Sequence, residues 1–410
     1  MPFCPVPHTP RDQIWLGVGA LLGACAAAYS IRSVGIKPHA AHAAKAEEEK
    51  EQETSASFVT CESWGIHPQT KEEVFLWSLR NDLGMTVQIT TLGCAVSSVK
   101  VPVGENQCDV VCGYDKLESY LNGKHNFGSI VGRCANRVAK GQFALDGKTY
   151  QLATNNGASH IHGGPTGFFC RNFASTSAIV TTDAATLTLG YHSPDGEEGY
   201  PGGVDIAMVY TLPRGKNALE MRFEARNATA PTLLSLTNHA YWNLSGHAAG
   251  SVATHELSMP HCSRYTLTDS NEQTTGETPS VVNTELDFVT RPRQLGFEAN
   301  LDENYCIDSD SAATDARGLR LAASIKIPDL EMRVLTDAPG IQVYSCAGIA
   351  PAANAQWLVP GKGGVLYQRY GALCLETQNW PDAVNQKGFP HDSVLRPGEE
   401  YSHTAVYEFL

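Results

Sequence analysis

Seven residues near the C-terminus, Glu376-Thr377-Gln378-Asn379-Trp380-Pro381-Asp382, follow an apolar run, Ala372-Leu373-Cys374-Leu375. The run reads as a buried strand, so Glu376 stands where that strand opens into a loop broken by proline. A carboxylate there is half desolvated, beside an aromatic ring and two amides. Burial disfavours the charged form and raises a carboxyl pKa. That makes a glutamate a useful proton acceptor near neutral pH. A strand-end glutamate that merely caps a turn is the competing reading, and this stretch alone leaves both open.

Other stretches carry polar groups suited to holding a ligand. Gly128 to Arg137 contains Arg133, Asn136 and Arg137 with little local negative charge. Arginine presents a fixed fork of donors for hydroxyl, carboxylate or phosphate oxygens. Arg133 fits a structural role better, whereas Arg137 beside Asn136 fits a ligand role. In Ser159-His160-Ile161-His162-Gly163-Gly164, two histidines at i, i+2 point the same way on an extended chain. The two glycines let another group approach the backbone closely. Such a pair can bind metal, but no third ligand is evident from spacing. A turn histidine bonded to backbone is the plain alternative. In Leu236 to Leu244, Asn238 and His239 interrupt an apolar, aromatic stretch with Tyr241 and Trp242. A lone histidine there is more often a satisfied core residue than a catalyst. Aromatic faces and amides are also the groups that hold sugars. Asp302-Glu303-Asn304-Tyr305 is a polar cluster before an apolar pair, and Gln342 lies in a strand entered through Pro339-Gly340.

Strands must position these groups. Leu219 to Arg226 alternates apolar and charged at every step, as a strand with one wet face does. Val74–Leu79, Thr186–Tyr191, Val204–Leu212 and Leu330–Leu335 read the same way, separated by Gly, Asn, Asp and Pro clusters. No long stretch keeps a 3.6-residue period, and strands do not alternate with helices. The expected fold is all-β, a large antiparallel β-sandwich in one domain over residues 58–410. Residues 1–57 read as an extension: an apolar segment at 14–29, then a polar, disordered linker at 40–56 rich in Glu and Lys. The apolar segment is 16 residues long, shorter than the ~20 a bilayer span needs. It ranks first as a weak membrane anchor or organelle-targeting segment, then as a cleaved signal, then as an inert extension. A net charge of −13 with 18% charged residues argues against nucleic acid or an anionic membrane surface as the main partner. The 12 cysteines are scattered singly, several in apparent core strands, which favours reduced, buried thiols.

Taken in order, Ala135-Asn136-Arg137, His162-Gly163-Gly164, Thr237 to Asn243, Asp302, Pro339 to Gln342 and Leu375 to Asn379 resemble the aldose 1-epimerase (galactose mutarotase) family. Ser193 to Gly202 and Leu395 to Tyr401 match as well. The resemblance spans about residues 65 to 410 and does not reach the N-terminal segment. It implies the family's β-sandwich and an isomerase of free aldohexoses. By resemblance Glu376 is the general base and His239 the general acid, set on opposite sides of the sugar. Asn136, Arg137, His162, Asp302 and Gln342 match positions that hold sugar hydroxyls, and His162 is a second candidate for proton work. No metal, redox cofactor or covalent intermediate is implied. Three stretches depart from the family pattern: Glu303, Val343 to Gly348, and Phe168 to Phe173. They touch substrate edges and leave the choice of sugar open.

A sugar-binding module displayed from a membrane is the rival from another class, but binding alone needs no acid–base pair. A glycoside hydrolase would need two carboxylates about 5–9.5 Å apart, and here the partner of Glu376 is a histidine. A phosphosugar enzyme would need a further basic cluster. The expectation is a monomer or weak dimer with its catalytic domain in the cytoplasm. A sequon at Asn243 inside the expected site argues against secretion.

Overall fold

Alternating burial organises the longest strands. Val204–Pro213 alternates buried and half-buried side chains along its whole length, and Ala218–Arg226 keeps the pattern that its sequence dictates. The computed structural model describes residues 58–123, 125–297, 300–308, 314–349 and 358–410. The extension at 1–57, with its apolar segment and linker, lies outside the described residues.

Three sheets form the body. Val59–Ile66, Glu73–Arg80, Thr86–Thr90, Val96–Val103 and Asn106–Asp109 make a five-stranded meander. A nine-stranded sheet runs in the order Ala174–Val180, Ala184–Ser193, Val204–Pro213, Ala218–Arg226, Tyr401–Phe409, Leu330–Thr336, Arg320–Ile327, Glu256–Ser258 and Arg293–Gln294. A third sheet holds Tyr241–Trp242, Leu373–Gln378, Gly340–Tyr344, Asp302–Cys306 and Arg264–Tyr265, in that order. Neighbouring strands pair antiparallel in all three. This is the antiparallel β-sandwich expected from the sequence, with one short α-helix among the described residues, Leu117–Asn122.

One apolar cluster joins the sheets. Val87 and Val99 of the first, Met208, Phe223 and Met332 of the second, and Tyr305, Ile341, Val343, Leu373 and Leu375 of the third all belong to it. In the third sheet these residues alternate with Asn304, Gln342, Cys374 and Glu376. Strand side chains alternate between faces, so the opposite face of the third sheet is polar. The hydroxyl of Tyr407 donates to the Leu375 carbonyl at 2.9 Å, tying the nine-stranded sheet to the strand that bears Glu376.

Arg133 takes the structural role. It is 1% exposed, and its guanidinium donates to the carbonyls of Ser193, Pro194, Pro201 and Gly202 and the hydroxyls of Ser193 and Thr232. Its desolvated charge is answered by carbonyl dipoles, which pin the turn after Ala184–Ser193. Arg133→Lys keeps the charge but loses the planar fork. Each carbonyl left unpaired costs about 1–3 kcal/mol, so urea denaturation is expected to show a loss of about 3 kcal/mol or more. An unchanged midpoint would contradict the structural role.

Buried histidines give a second test. His403 stacks on Phe223 with centroids 4.1 Å apart, and desolvation pushes its imidazole down to about 3. An unfolded histidine takes its proton near pH 6.5, so below that pH the unfolded chain binds the extra proton. The stability that neutral His403 contributes is complete above pH 6.5 and is lost as pH falls toward 3, at about 1.4 kcal/mol per pH unit. Buried carboxyls such as Asp382, raised chiefly by desolvation, act in the opposite sense. The comparison is therefore with His403→Gln, which cannot titrate. Between pH 6.5 and 5 the stability difference should move toward the variant by about 2 kcal/mol. A constant difference would mean that His403 is charged in the fold.

Candidate active site

Register builds the centre of the site. Gln342 lies directly opposite Glu376 in the third sheet, and Asn304 lies opposite Gln342. Paired residues share a face, so all three side chains leave the sheet on its polar side. The strand does not open at Glu376, as the sequence reading had it. It continues through Gln378, and Glu376 is 2% exposed, a fully buried carboxyl. The carbonyls of a neighbouring strand pair the backbone beyond Glu376, so the break comes only at Trp380-Pro381.

His239 arrives from another direction. Thr237–Asn238 pairs with Ile130–Val131, and the backbone N–H of His239 donates to Ser129 O at 2.9 Å. Two residues later Tyr241 pairs with Cys374 in the third sheet. The Tyr241 ring stacks on His239 at 4.8 Å and 11°. His239 Nε2 thereby stands 3.6 Å from Glu376 Oε1. Desolvation dominates both groups. It holds the Glu376 carboxyl well above its ordinary range, with Asp302 raising it further, and pushes His239 down to about 4. His239 Nδ1 has no protein partner. An orphaned buried nitrogen of this kind marks a place where a ligand completes the hydrogen bonding.

A polar relay leads outward. Asn136 Nδ2 donates to Gln342 Oε1 at 2.8 Å, and Gln342 Nε2 donates to Asp302 Oδ1 at 2.7 Å. Arg137 Nη2 closes on Asp302 Oδ2 at 3.7 Å and on Glu272 Oε2 at 2.6 Å. The relay fixes which way each amide faces. His162 joins through the backbone N–H of Asn136, which donates to its Nδ1 at 3.3 Å. Desolvation keeps His162 well below its ordinary pKa, hence neutral. With Nδ1 accepting, its proton sits on Nε2, which makes that nitrogen a donor. Its ring is 5.3 Å from that of His239.

All seven residues singled out by sequence therefore gather in one place: Glu376, His239, Asn136, Arg137, His162, Asp302 and Gln342. Three details differ from expectation. The histidine pair does not point one way, because His162 has φ +54° and leaves the extended region. His160 turns away from the site, with its ring nitrogens 2.7 Å from Ala153 O and from the Tyr200 hydroxyl. The close approach credited to the glycines is real. A Cβ on Gly163 would overlap the Gly132 carbonyl, and one on Gly164 would overlap the Glu198 carboxylate. Glu303 does not border the sugar side. It pairs with Val343, which faces the core, and so lies on the face opposite Gln342.

Sequence reasoning missed Glu272, an exposed residue in a polar turn with no local pattern to mark it. It also gave no sign that Cys374 stands beside His239 and Glu376. The Cys374 sulfur, a His239 nitrogen and a Glu376 oxygen all lie within 4.8 Å of one another.

Known proteins resemble this chain over most of its length. A model of the family described as aldose 1-epimerase matches residues 76–408. Human galactose mutarotase is 36% identical over 358 residues, covering 86% of this chain and 98% of the human protein. The aldose 1-epimerase of Escherichia coli is 29% identical, covering 82% of this chain and 95% of its own. A solved GalM/aldose epimerase homologue from C. elegans superposes with a TM-score of 0.71 at 27% identity, over 81% of this chain and 98% of the other. The match runs through the sheet that carries Glu376, Gln342 and Asp302 and through the segment that delivers His239, and the chain belongs to the aldose 1-epimerase family.

Proposed function

We propose that this chain interconverts the α- and β-anomers of free aldohexoses such as galactose and glucose, with Glu376 as general base and His239 as general acid. The observation that carries the residue roles is the buried pair itself, with Glu376 Oε1 and His239 Nε2 3.6 Å apart at the inner end of a relay of sugar-binding groups.

The chemistry needs one proton removed from the C1 hydroxyl and another delivered to the ring oxygen. The ring then opens to an aldehyde, C1 rotates about its bond to C2, and closure gives the other anomer. Both oxygens are bonded to C1. Two neighbouring groups can address them together. Desolvation raises Glu376 and lowers His239, so burial favours the neutral forms of both, with a proton on Glu376, when the site is empty. Sugar hydroxyls entering the site replace lost water dipoles and stabilise the carboxylate–imidazolium arrangement of the same proton. Closure of the ring returns the proton by the reverse path, which needs each group to serve in both roles.

Asn136, Gln342, Asp302 and Arg137 supply donors and acceptors for the remaining hydroxyls, and the Nε2–H of His162 adds a donor near the reacting carbon. The preferred sugar is part of the proposal. So are a catalytic domain in the cytoplasm, an N-terminal segment at 14–29 acting as a weak anchor, and a monomer or weak dimer. Asn243 supports the cytoplasmic reading: it is 0% exposed, and its amide donates to Gly371 O at 2.9 Å, which leaves no room for a glycan. Among the described residues no helix is long and apolar enough to cross a membrane.

Positioned proton transfer contributes about 10²–10⁴-fold per group. Glu376→Gln and His239→Asn should each lower kcat by that order, read by polarimetry of freshly dissolved α-D-galactose. Because the two act as a unit, the double variant should lose little more than either single one. Equal rates in parent and Glu376→Gln would remove Glu376 as the base. Arg137→Lys loses the fork whose Nε donates to Asn156 and whose Nη2 meets Glu272 and Asp302, and should raise KM about tenfold, a cost of about 1.4 kcal/mol, with kcat nearly unchanged. A fall in kcat alone would place Arg137 in the chemistry rather than in binding.

A further inference from the structure

The inner wall of the site holds a donor set that proton transfer does not use. Cys374 is two residues before Glu376 on one strand, so the two side chains leave the same face. Tyr241 pairs with Cys374 in register and stacks on His239, which fixes the imidazole against the thiol. Nitrogen, sulfur and oxygen from His239, Cys374 and Glu376 are thereby all within 4.8 Å of one another. In a tetrahedral zinc site with bonds of 2.0–2.3 Å, ligand atoms stand about 3.3–3.7 Å apart. His239 Nε2 and Glu376 Oε1 already meet that spacing at 3.6 Å.

A second thiol stands behind the first. Cys346 Sγ is 3.9 Å from Cys374 Sγ, and both are fully buried. A coordinating thiolate needs a hydrogen-bond donor or an apolar shell behind it, and Cys346 with Tyr241 and Tyr344 supplies both. Cys346 also falls in the stretch after Gln342 where this chain departs from its family's pattern.

We propose that His239, Cys374 and Glu376 form an inhibitory site for a thiophilic divalent cation, zinc first, with Cys346 as the group that orients the sulfur. Three protein ligands leave a fourth position, where water completes the tetrahedron. A mixed nitrogen, sulfur and oxygen set selects zinc, cadmium or cobalt over magnesium and calcium, which take oxygen. The cation occupies the base and the acid at once, so proton transfer stops while it is bound, and sugar and metal exclude each other. The inhibitory consequence rests on the proposed roles of Glu376 and His239; coordination itself does not.

The test uses the full chain in a buffer without chelating groups, with Cys374→Ser beside it. Zinc should slow mutarotation of galactose about tenfold or more, and a chelator should restore the rate. Cys374 takes no part in proton transfer, so Cys374→Ser should keep mutarotation and need about tenfold or more zinc for the same inhibition. Cobalt(II) gives an independent readout, because only a thiolate ligand produces a sulfur-to-cobalt charge-transfer band. That band should appear in the parent, vanish in Cys374→Ser and fade as galactose saturates the site. Where Cys374→Ser does not fold, Glu376→Gln serves instead: it should weaken cobalt binding about tenfold while the thiol stays in place. Identical zinc responses in parent and Cys374→Ser, a cobalt band that survives Cys374→Ser, or cobalt binding unchanged by Glu376→Gln would overturn the site. A parent that shows the band yet never catalyses mutarotation would sink the catalytic reading and leave the metal site standing.

Discussion

Desolvation of one carboxyl governs the design of this protein. Glu376 is 2% exposed on the polar face of a sheet whose other face is core. A buried carboxylate without compensation is too costly to persist, so it must share a proton or be answered by dipoles. His239 at 3.6 Å offers the first solution and an arriving sugar the second. The rest of the architecture serves to keep that carboxyl buried and that imidazole beside it. A rigid sheet does this better than a loop, because register fixes Gln342 opposite Glu376 with no side-chain entropy to spend on the search.

The same constraint explains why the relay runs outward in one direction. Each amide along it has its donor and acceptor ends assigned by a neighbour: Asn136 donates to Gln342, and Gln342 donates to Asp302. Charge appears only toward the rim, where Arg137 meets Asp302 and the exposed Glu272. Neutral amides deep and ions at the mouth is the order that burial energetics favours, since an amide loses far less than an ion on leaving water. Buried Arg133 is the exception that fits the rule: its charge is compensated by four backbone carbonyls, and it stabilises a turn instead of touching the site.

Much of the fold was legible in particular residues. The apolar–charged alternation from Leu219 to Arg226 could be nothing but a half-exposed strand, and the long strands at 73–80, 184–193, 204–213 and 330–336 lie where period two placed them. The candidate site was legible because its residues sit in short polar interruptions of apolar runs. What misled was local geometry. An i, i+2 histidine pair implies one face only on an extended chain, and the positive φ of His162 sends the two rings to different places. Glu303 looked like a substrate-edge residue because it adjoins Asp302, yet adjacent strand residues face opposite ways. Glu272 carried no signal at all, since its partner Arg137 is 135 residues away in the chain.

The sequence by itself determined residue chemistry and periodicity: an all-β chain, a glutamate and a histidine of the types that acid–base chemistry uses, and a set of amides, arginine and histidines suited to hydroxyls. These properties are local, being written in side-chain type and in alternation along a strand. Tertiary structure alone decided which of these groups meet. It set Glu376 deep inside a strand, turned His160 away and His162 inward, and brought Cys374 from the background to within reach of Glu376 and His239. Those outcomes depend on sheet register and on the crossing of segments more than a hundred residues apart, quantities fixed by the packing of the whole core and by no single stretch of it.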